Sequence, residues 1–312
     1  MENQLLANLK SDLLRKRNEK KSERESDREE RRKIDPAQKV LLWIVAVIFF
    51  IYAATLFFPF LWMTFYSVWD KVEFSSAPLS LPNVLHFENY IDMFTEFPLT
   101  EMFVNSMVLV LCLPICGLFF TCCASYVTAK FKFRGRGLFH FIAISVMFIP
   151  TAGSLAVVYE LMGNLGLRDT LLGMMVMNSG ALGFNFLLLY GFFKNLPWSY
   201  AESAYIDGAG NYTVFFKIML PQVKSILMAI WIMSVIGTWN DYMGPFLFYN
   251  SHETIAAGIK KISDNVASGG MYVLDYPKLF AAILLTTLPI IILFICSQKF
   301  IIKINMGGGI KG

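Results

Sequence analysis

Six stretches of this chain, about 40–64, 103–129, 138–162, 171–193, 224–248 and 279–301, are long, apolar and almost free of charge. A helix of about 20 mostly apolar residues crosses roughly 30 Å of hydrocarbon, so each is long enough to span a bilayer. Glu160, Asp241 and Lys299 are among the few charges these segments hold, and all three lie near segment ends. Composition agrees: 56% of residues are hydrophobic and 16% charged, against roughly 45–50% and 25% in soluble domains. Residues 1–39 hold 12 of the 27 Lys and Arg and 9 of the 23 Asp and Glu, leaving 29 charges for the other 273 residues. A soluble enzyme, a disulfide scaffold and a disordered chain are thereby excluded. The expected fold is an all-α integral membrane protein with six transmembrane helices.

Charge placement orients those helices. Lys130, Lys132, Arg134 and Arg136 crowd the 130–137 connection, whereas 65–102 carries Lys71 against six carboxylates. The positive-inside rule puts the N-terminal tail and the 130–137 loop in the cytoplasm, and six spans return the C-terminus there. The 249–278 loop, with Lys260, Lys261 and Lys278 balanced by Glu253, Asp264 and Asp275, is then outside. The first segment follows a long charged tail and lacks a small-residue cleavage site, so it is expected to remain as a helix. The tail sets Leu5, Leu6, Leu9, Leu13 and Leu14 on one helical face; it reads either as a helix on the anionic inner leaflet or as a solvated tail.

The five cysteines (Cys112, Cys116, Cys122, Cys123, Cys296) sit in apolar runs without zinc spacing and read as small hydrophobes. His86, His140 and His252 are scattered, which argues against a membrane enzyme. Neither inverted repeats nor mid-membrane ion sites mark a secondary transporter. The small net charge of +4 gives no reason to expect nucleic acid.

The 194–223 connection is more informative. Ser199 is placed to cap a short helix, with Glu202 three residues on completing a capping box. Asp207-Gly208 ends that helix near Ile206, because glycine takes positive φ at no steric cost. A second segment carries apolar residues to Leu220, and Pro221 is expected to open the fifth span. The result is a helix-turn-helix lying flat at the inner face. It is expected to expose Ala201, Ser203, Ala204, Gly208 and Ala209 to a close-approaching surface, with Tyr205, Phe215 and Phe216 available to fill a groove.

Those residues resemble the EAA signature of ABC-importer permeases, roughly Glu-Ala-Ala, Asp-Gly-Ala and Ile-x-Leu-Pro. The match falls on Glu202, Ala204, Asp207, Gly208, Ala209, Phe215, Ile218, Leu220 and Pro221, with Ser203 in place of the usual Ala. Ser225 stands where the family often has a second proline. Gly237-Thr-Trp239-Asn240-Asp241-Tyr-Met-Gly-Pro245 is similar to the Trp-Asn-Asp segment of sugar permeases, and 298–312 resembles the tail of the maltose-type, MalG-like branch. The resemblance covers about 85–312 and implies a type I (MetI-like) permease fold. The implied layout is a tail at 1–39, a first helix at 40–64, a permease core at 85–301 and a C-terminal tail at 302–312.

The resemblance further implies a carbohydrate-uptake permease in the cell membrane of a prokaryote. A second homologous permease, two ABC ATPases, an extracellular solute-binding protein and membrane lipid would be its partners. No Gly-x-x-x-x-Gly-Lys-Ser/Thr run occurs in the chain, so ATP and Mg are expected on the partner ATPase and no cofactor or metal on this chain. Glu202 is the expected charged anchor within the docking loop Glu202–Pro221, and Gly307, Gly308 and Lys311 the expected tail contact with the ATPase. The flexible run Ser268-Gly269-Gly270 is expected to reach toward the binding protein.

Along the path, Asn178 and Asn185 stand seven apart in the fourth span and thus on one face, and Trp239, Asn240 and Asp241 lie in the fifth. Amides, carboxylates and aromatic faces suit a carbohydrate path, although polar residues also hold bundles together. Asp241 reads equally as a helix breaker with Gly244-Pro245. Another solute, such as a peptide or phosphonate, is the alternative cargo.

Overall fold

The computed structural model describes residues 35–76, 82–149, 153–267 and 275–307, and every element among them is helical. The leucines of the N-terminal tail, the Ser268-Gly269-Gly270 run, Gly308 and Lys311 lie outside the described residues. In chain order the elements are α1 (Pro36–Tyr66), α2 (Lys71–Ser76), α3 (Glu88–Glu96), α4 (Leu99–Lys130), α5 (Arg136–Phe148), α6 (Ser154–Asn164) and α7 (Leu171–Asn178). There follow α8 (Phe184–Asn195), α9 (Ser199–Ile206), α10 (Asn211–Gln222), α11 (Lys224–Asn240), α12 (Met243–Phe248), α13 (Ile255–Ala267) and α14 (Tyr276–Gly307). The chain divides into two compact units after Trp62, within α1.

Among the described residues, three helices are long and apolar enough to cross a membrane: α1, α4 and the Tyr276–Gln298 part of α14. These cover the expected segments 40–64, 103–129 and most of 279–301. The other three segments are not continuous helices, which corrects the expectation of unbroken rods. Residues 138–162 divide between α5 and α6, with Gly153 at φ +88° before the second piece. Residues 171–193 divide between α7 and α8 around Gly183, at φ +127°. The fifth segment ends as a helix at Asn240 and resumes as α12. At its other end α10 and α11 meet at a 78° bend, and together they make a fourth candidate span. Hydropathy marks segments solvated by lipid, but it does not register a single residue whose backbone leaves the helical region.

α4 organises the second unit. At 1.5 Å per residue it is about 48 Å long, and three apolar clusters are strung along it. At one end Leu99, Met102 and Val110 join Met93, Val235, Trp239, Ile255, Ala281 and Ala282. Midway, Leu109 and Leu113 meet Met162, Met174, Phe248 and Tyr249. At the other end Cys122, Tyr126 and Ala129 pack with Leu189, Phe193, Ala201, Ala204, Val214, Phe215 and Met219. Of the cysteines only Cys122 is fully buried, and Cys296 is exposed.

The 165–170 connection is tied to the end of α12 and the residues after it. Asp169, at φ +57°, donates its N–H to the Phe248 carbonyl (2.8 Å), and its Oδ1 accepts from Ser251 N–H (2.9 Å). Hydrogen bonding from Ser251, side chain first and backbone second, lowers the Asp169 pKa below its ordinary 3.8, with His252 adding a charge effect. A depressed carboxyl stabilises the folded form above its unfolded pKa and loses that contribution as pH falls through the folded value. The clasp is therefore expected to hold at neutral pH and to loosen only below about 3.8. Hydrogen exchange at the Ser251 amide across an acid series reads this directly.

Candidate functional site

The 199–221 loop folds into a compact elbow at the Tyr126 end of α4. α9 runs over Ser199–Ile206, as expected, but Trp198 is the cap residue and no side chain caps the helix. The capping box between Ser199 and Glu202 is thus not formed. The end of α9 is set by Gly208, at φ +81°. Ala209 N–H donates to the Ala204 carbonyl (2.9 Å) and Gly208 N–H to that of Tyr205 (3.0 Å), the paired bonds of a Schellman turn. Tyr205 Oη donates to Asn211 Oδ1 (2.9 Å) and ties the two arms together.

Which residues face outward differs from the sequence expectation. Ala201 and Ala204 are buried, as is Phe215, whose ring lies 4.7 Å from that of Tyr126. They hold the elbow to α4, so their small size serves packing within the chain. Glu202, Ser203, Asp207, Gly208 and Pro221 are exposed, and Ala209, Ile218 and Leu220 are half-buried. The apolar groups that stand out are Ile206 and Tyr212, 85% and 83% exposed, one on each side of the Gly208 turn. Phe216 is also partly exposed. Sequence reasoning passed over Ile206 and Tyr212 because their neighbours carried the signature. Their signal is apolar side chains flanking a turn otherwise made of small and polar residues.

α10 contains a π-helical run, Val214–Met219. Such turns insert one residue into the helical ladder, here where Val214, Phe215 and Met219 are all buried. Pro221 does not open the fifth span: it lies in the last turn of α10, and the chain turns at Val223 before α11 begins at Lys224. Lys130 Nζ donates to the Leu196 carbonyl (2.6 Å), fastening the end of α4 to the strap that leads into the elbow.

A second feature is a cleft of about 450 Å³ lined by α4, α7, α11 and α12. Asn178 and Asp241 both border it, together with Ser234, Gly237 and Thr238 of α11. The other expected path residues are placed elsewhere. Trp239 is buried against Phe103 in the apolar cluster, Asn240 donates to the Ile236 carbonyl of its own helix (2.8 Å), and Asn185 is exposed on α8. Because the fourth segment breaks at residues 179–183, Asn178 and Asn185 do not share a helix face. Asp241 ends α11, and its Oδ1 accepts from Gly244 N–H (3.0 Å), so it does break the helix while also bordering the cleft. Ser234, Thr238 and Asp241 were legible as an i, i+4, i+7 polar row. Gly307 closes α14.

Residues 117–303 match the family described as binding-protein-dependent transport system inner membrane component. The chain belongs to this family. Among relatives of this inner-membrane component, the diacetylchitobiose uptake system permease protein NgcG of Streptomyces coelicolor is 31% identical over 244 residues, covering 77% of this chain and 80% of its own. The arabinooligosaccharides transport system permease protein AraQ of Halalkalibacterium halodurans is 28% identical over 289 residues, covering 90% and 100%. A chain from the crystal structure of a bacterial ABC transporter that imports the acidic polysaccharide alginate superimposes with a TM-score of 0.73 over 85% of this chain and 98% of that one. At 22% identity it shows the shared permease fold. The protein is accordingly a multi-pass membrane component of a binding-protein-dependent transport system.

Proposed function

We propose that this chain is the permease subunit of an ATP-driven carbohydrate importer, moved by a separate ATPase through the Ser199–Pro221 elbow. The observation that carries the coupling is the elbow itself. One side is cemented to α4 through Ala201, Ala204 and Phe215, while Ile206, Tyr212 and Glu202 project from the other. A projection fixed at its root transmits displacement to the bundle instead of absorbing it. Glu202 would pair with a basic group of the ATPase, Ile206 and Tyr212 would enter an apolar groove, and ATP and Mg would be held by that partner. ATPase closure would then shift the bundle between two states.

The carbohydrate reading is supported by relatives whose names specify diacetylchitobiose and arabinooligosaccharides. In this reading the broken pairs α5–α6, α7–α8 and α11–α12 each make one crossing, giving six spans with both termini in the cytoplasm. A second permease, a pair of ATPases and an extracellular binding protein complete the assembly; a structural neighbour was solved in complex with a saccharide-bound periplasmic protein. Gly307, Gly308 and Lys311 are placed by this reading near the ATPases. The test is isolation of the tagged chain from its native membrane. Recovery of an ATPase and a second permease, with uptake in vesicles that requires ATP, supports the proposal. Transport by the purified chain alone on an ion gradient overturns it.

A further inference from the structure

We infer that the cleft between α4, α7, α11 and α12 is a solute subsite that favours neutral or cationic saccharides over acidic ones; the inference rests on the carbohydrate reading above. Its chemistry is asymmetric. Met174, Met177, Leu109, Leu113 and Pro245 supply apolar surface, and Ser234, Thr238 and Asn178 supply hydroxyls and an amide. Asp241 is the one formally charged side chain in the lining. Among the described residues no basic group pairs with it, and Oδ1 alone is engaged, by Gly244 N–H. Oδ2 is left to accept from a hydroxyl, and hydrogen bonds to a charged acceptor are the stronger kind. A sugar ring presents hydroxyl donors and apolar C–H faces together, which suits this mixed lining. A uronate brings a second carboxylate toward an uncompensated one.

The size of the effect follows from Coulomb's law. A unit charge at about 6–10 Å in water changes local concentration roughly two- to threefold, so a cation and an anion should differ on the order of four- to tenfold. Cysteine placed at Ser234 or Thr238 in the membrane-embedded complex is reacted with a cationic and an anionic methanethiosulfonate of similar size. The parent chain, with its five native cysteines, supplies the background. Faster cationic labelling by about four- to tenfold, falling to near equality with Asp241→Asn, is the expected result. N,N′-diacetylchitobiose at millimolar concentration should slow labelling more than digalacturonate does, and Asp241→Asn should narrow that gap.

Equal rates for the two reagents in the native background overturn the inference, as does a rate ratio that Asp241→Asn leaves unchanged. Equal protection by the two disaccharides, or a thiol that neither reagent reaches with or without ATP and vanadate, also overturns it. Having both Ser234→Cys and Thr238→Cys keeps the test standing if one variant fails to fold. Labelling reports the cleft without requiring transport, so its failure is distinct from failure to recover an ATPase.

Discussion

Ala204→Asp is expected to abolish solute uptake while leaving the chain inserted in the membrane. Ala204 is 7% exposed and packs in the cluster with Tyr126, Val214, Phe215 and Met219. A carboxylate there has no basic partner within that apolar cluster. Burying even a neutral polar group unpaired costs about 1–3 kcal/mol, and a charge costs more. α9 is a short surface helix, so swinging it away from α4 is the cheaper response, and the spans themselves are untouched. The elbow would then still meet an ATPase but would no longer be fixed at its root. ATP hydrolysis by the purified complex should continue, without dependence on solute, while vesicle uptake falls to background. Ala204→Ser, small and able to donate to a carbonyl of its own helix, should keep most uptake. Gly208→Ala is an intermediate case: φ is +81°, but a Cβ there meets nothing within 4 Å, so the cost is about 1–2 kcal/mol of backbone strain. Normal uptake by Ala204→Asp, at normal membrane levels, would refute the lever.

The contrast between Ala204 and Ile206 shows how far the sequence was readable. That a helix ends at Asp207-Gly208 was legible, because positive φ is a local property of one residue. Which side of that helix is buried was not, since it depends on Tyr126, far away in the chain and reached only by folding. The spans divide in the same way. Their apolar composition records the solvent, and α1, α4 and α14 follow from it directly. The interruptions at 179–183 and 241–242 needed the backbone, although Gly183 and the Asp241-to-Pro245 run were visible marks. Asn178 and Asp241 were both suspected as path residues, but only the break after α7 and the end of α11 explain why these two border one cleft. Trp239 shows the opposite outcome: an aromatic suited to a sugar face is spent on the apolar cluster beside Phe103.

Gly117→Leu is expected to destabilise the chain and to move a wall of the cleft. In α4 a Cβ at this position would lie 2.8 Å from the Asn178 carbonyl oxygen and 3.4 Å from Asn178 Oδ1. The nearer atom is backbone, at the end of α7, and it cannot turn aside as a flexible side chain would. Accommodating leucine therefore means displacing α7 from α4, which draws Asn178 away from Asp241 and opens the Met174 packing against Leu109 and Leu113. Overpacking of this kind costs about 1–3 kcal/mol, or roughly 2–10 °C in melting temperature for a unit of this size. Gly191→Leu is the matched comparison. It too is a helical glycine, in α8, but a Cβ there meets nothing within 4 Å, and leaving glycine for a good helix former gains up to about 1 kcal/mol. The two variants change composition identically, so any difference in melting temperature belongs to the α4–α7 approach. Ser234→Cys labelling should be altered by Gly117→Leu and unaffected by Gly191→Leu, because only the first moves a wall of the cleft. Equal stability of the two variants would mean that α4 and α7 do not meet this closely in the membrane, and the cleft that joins Asn178 to Asp241 would lose its basis.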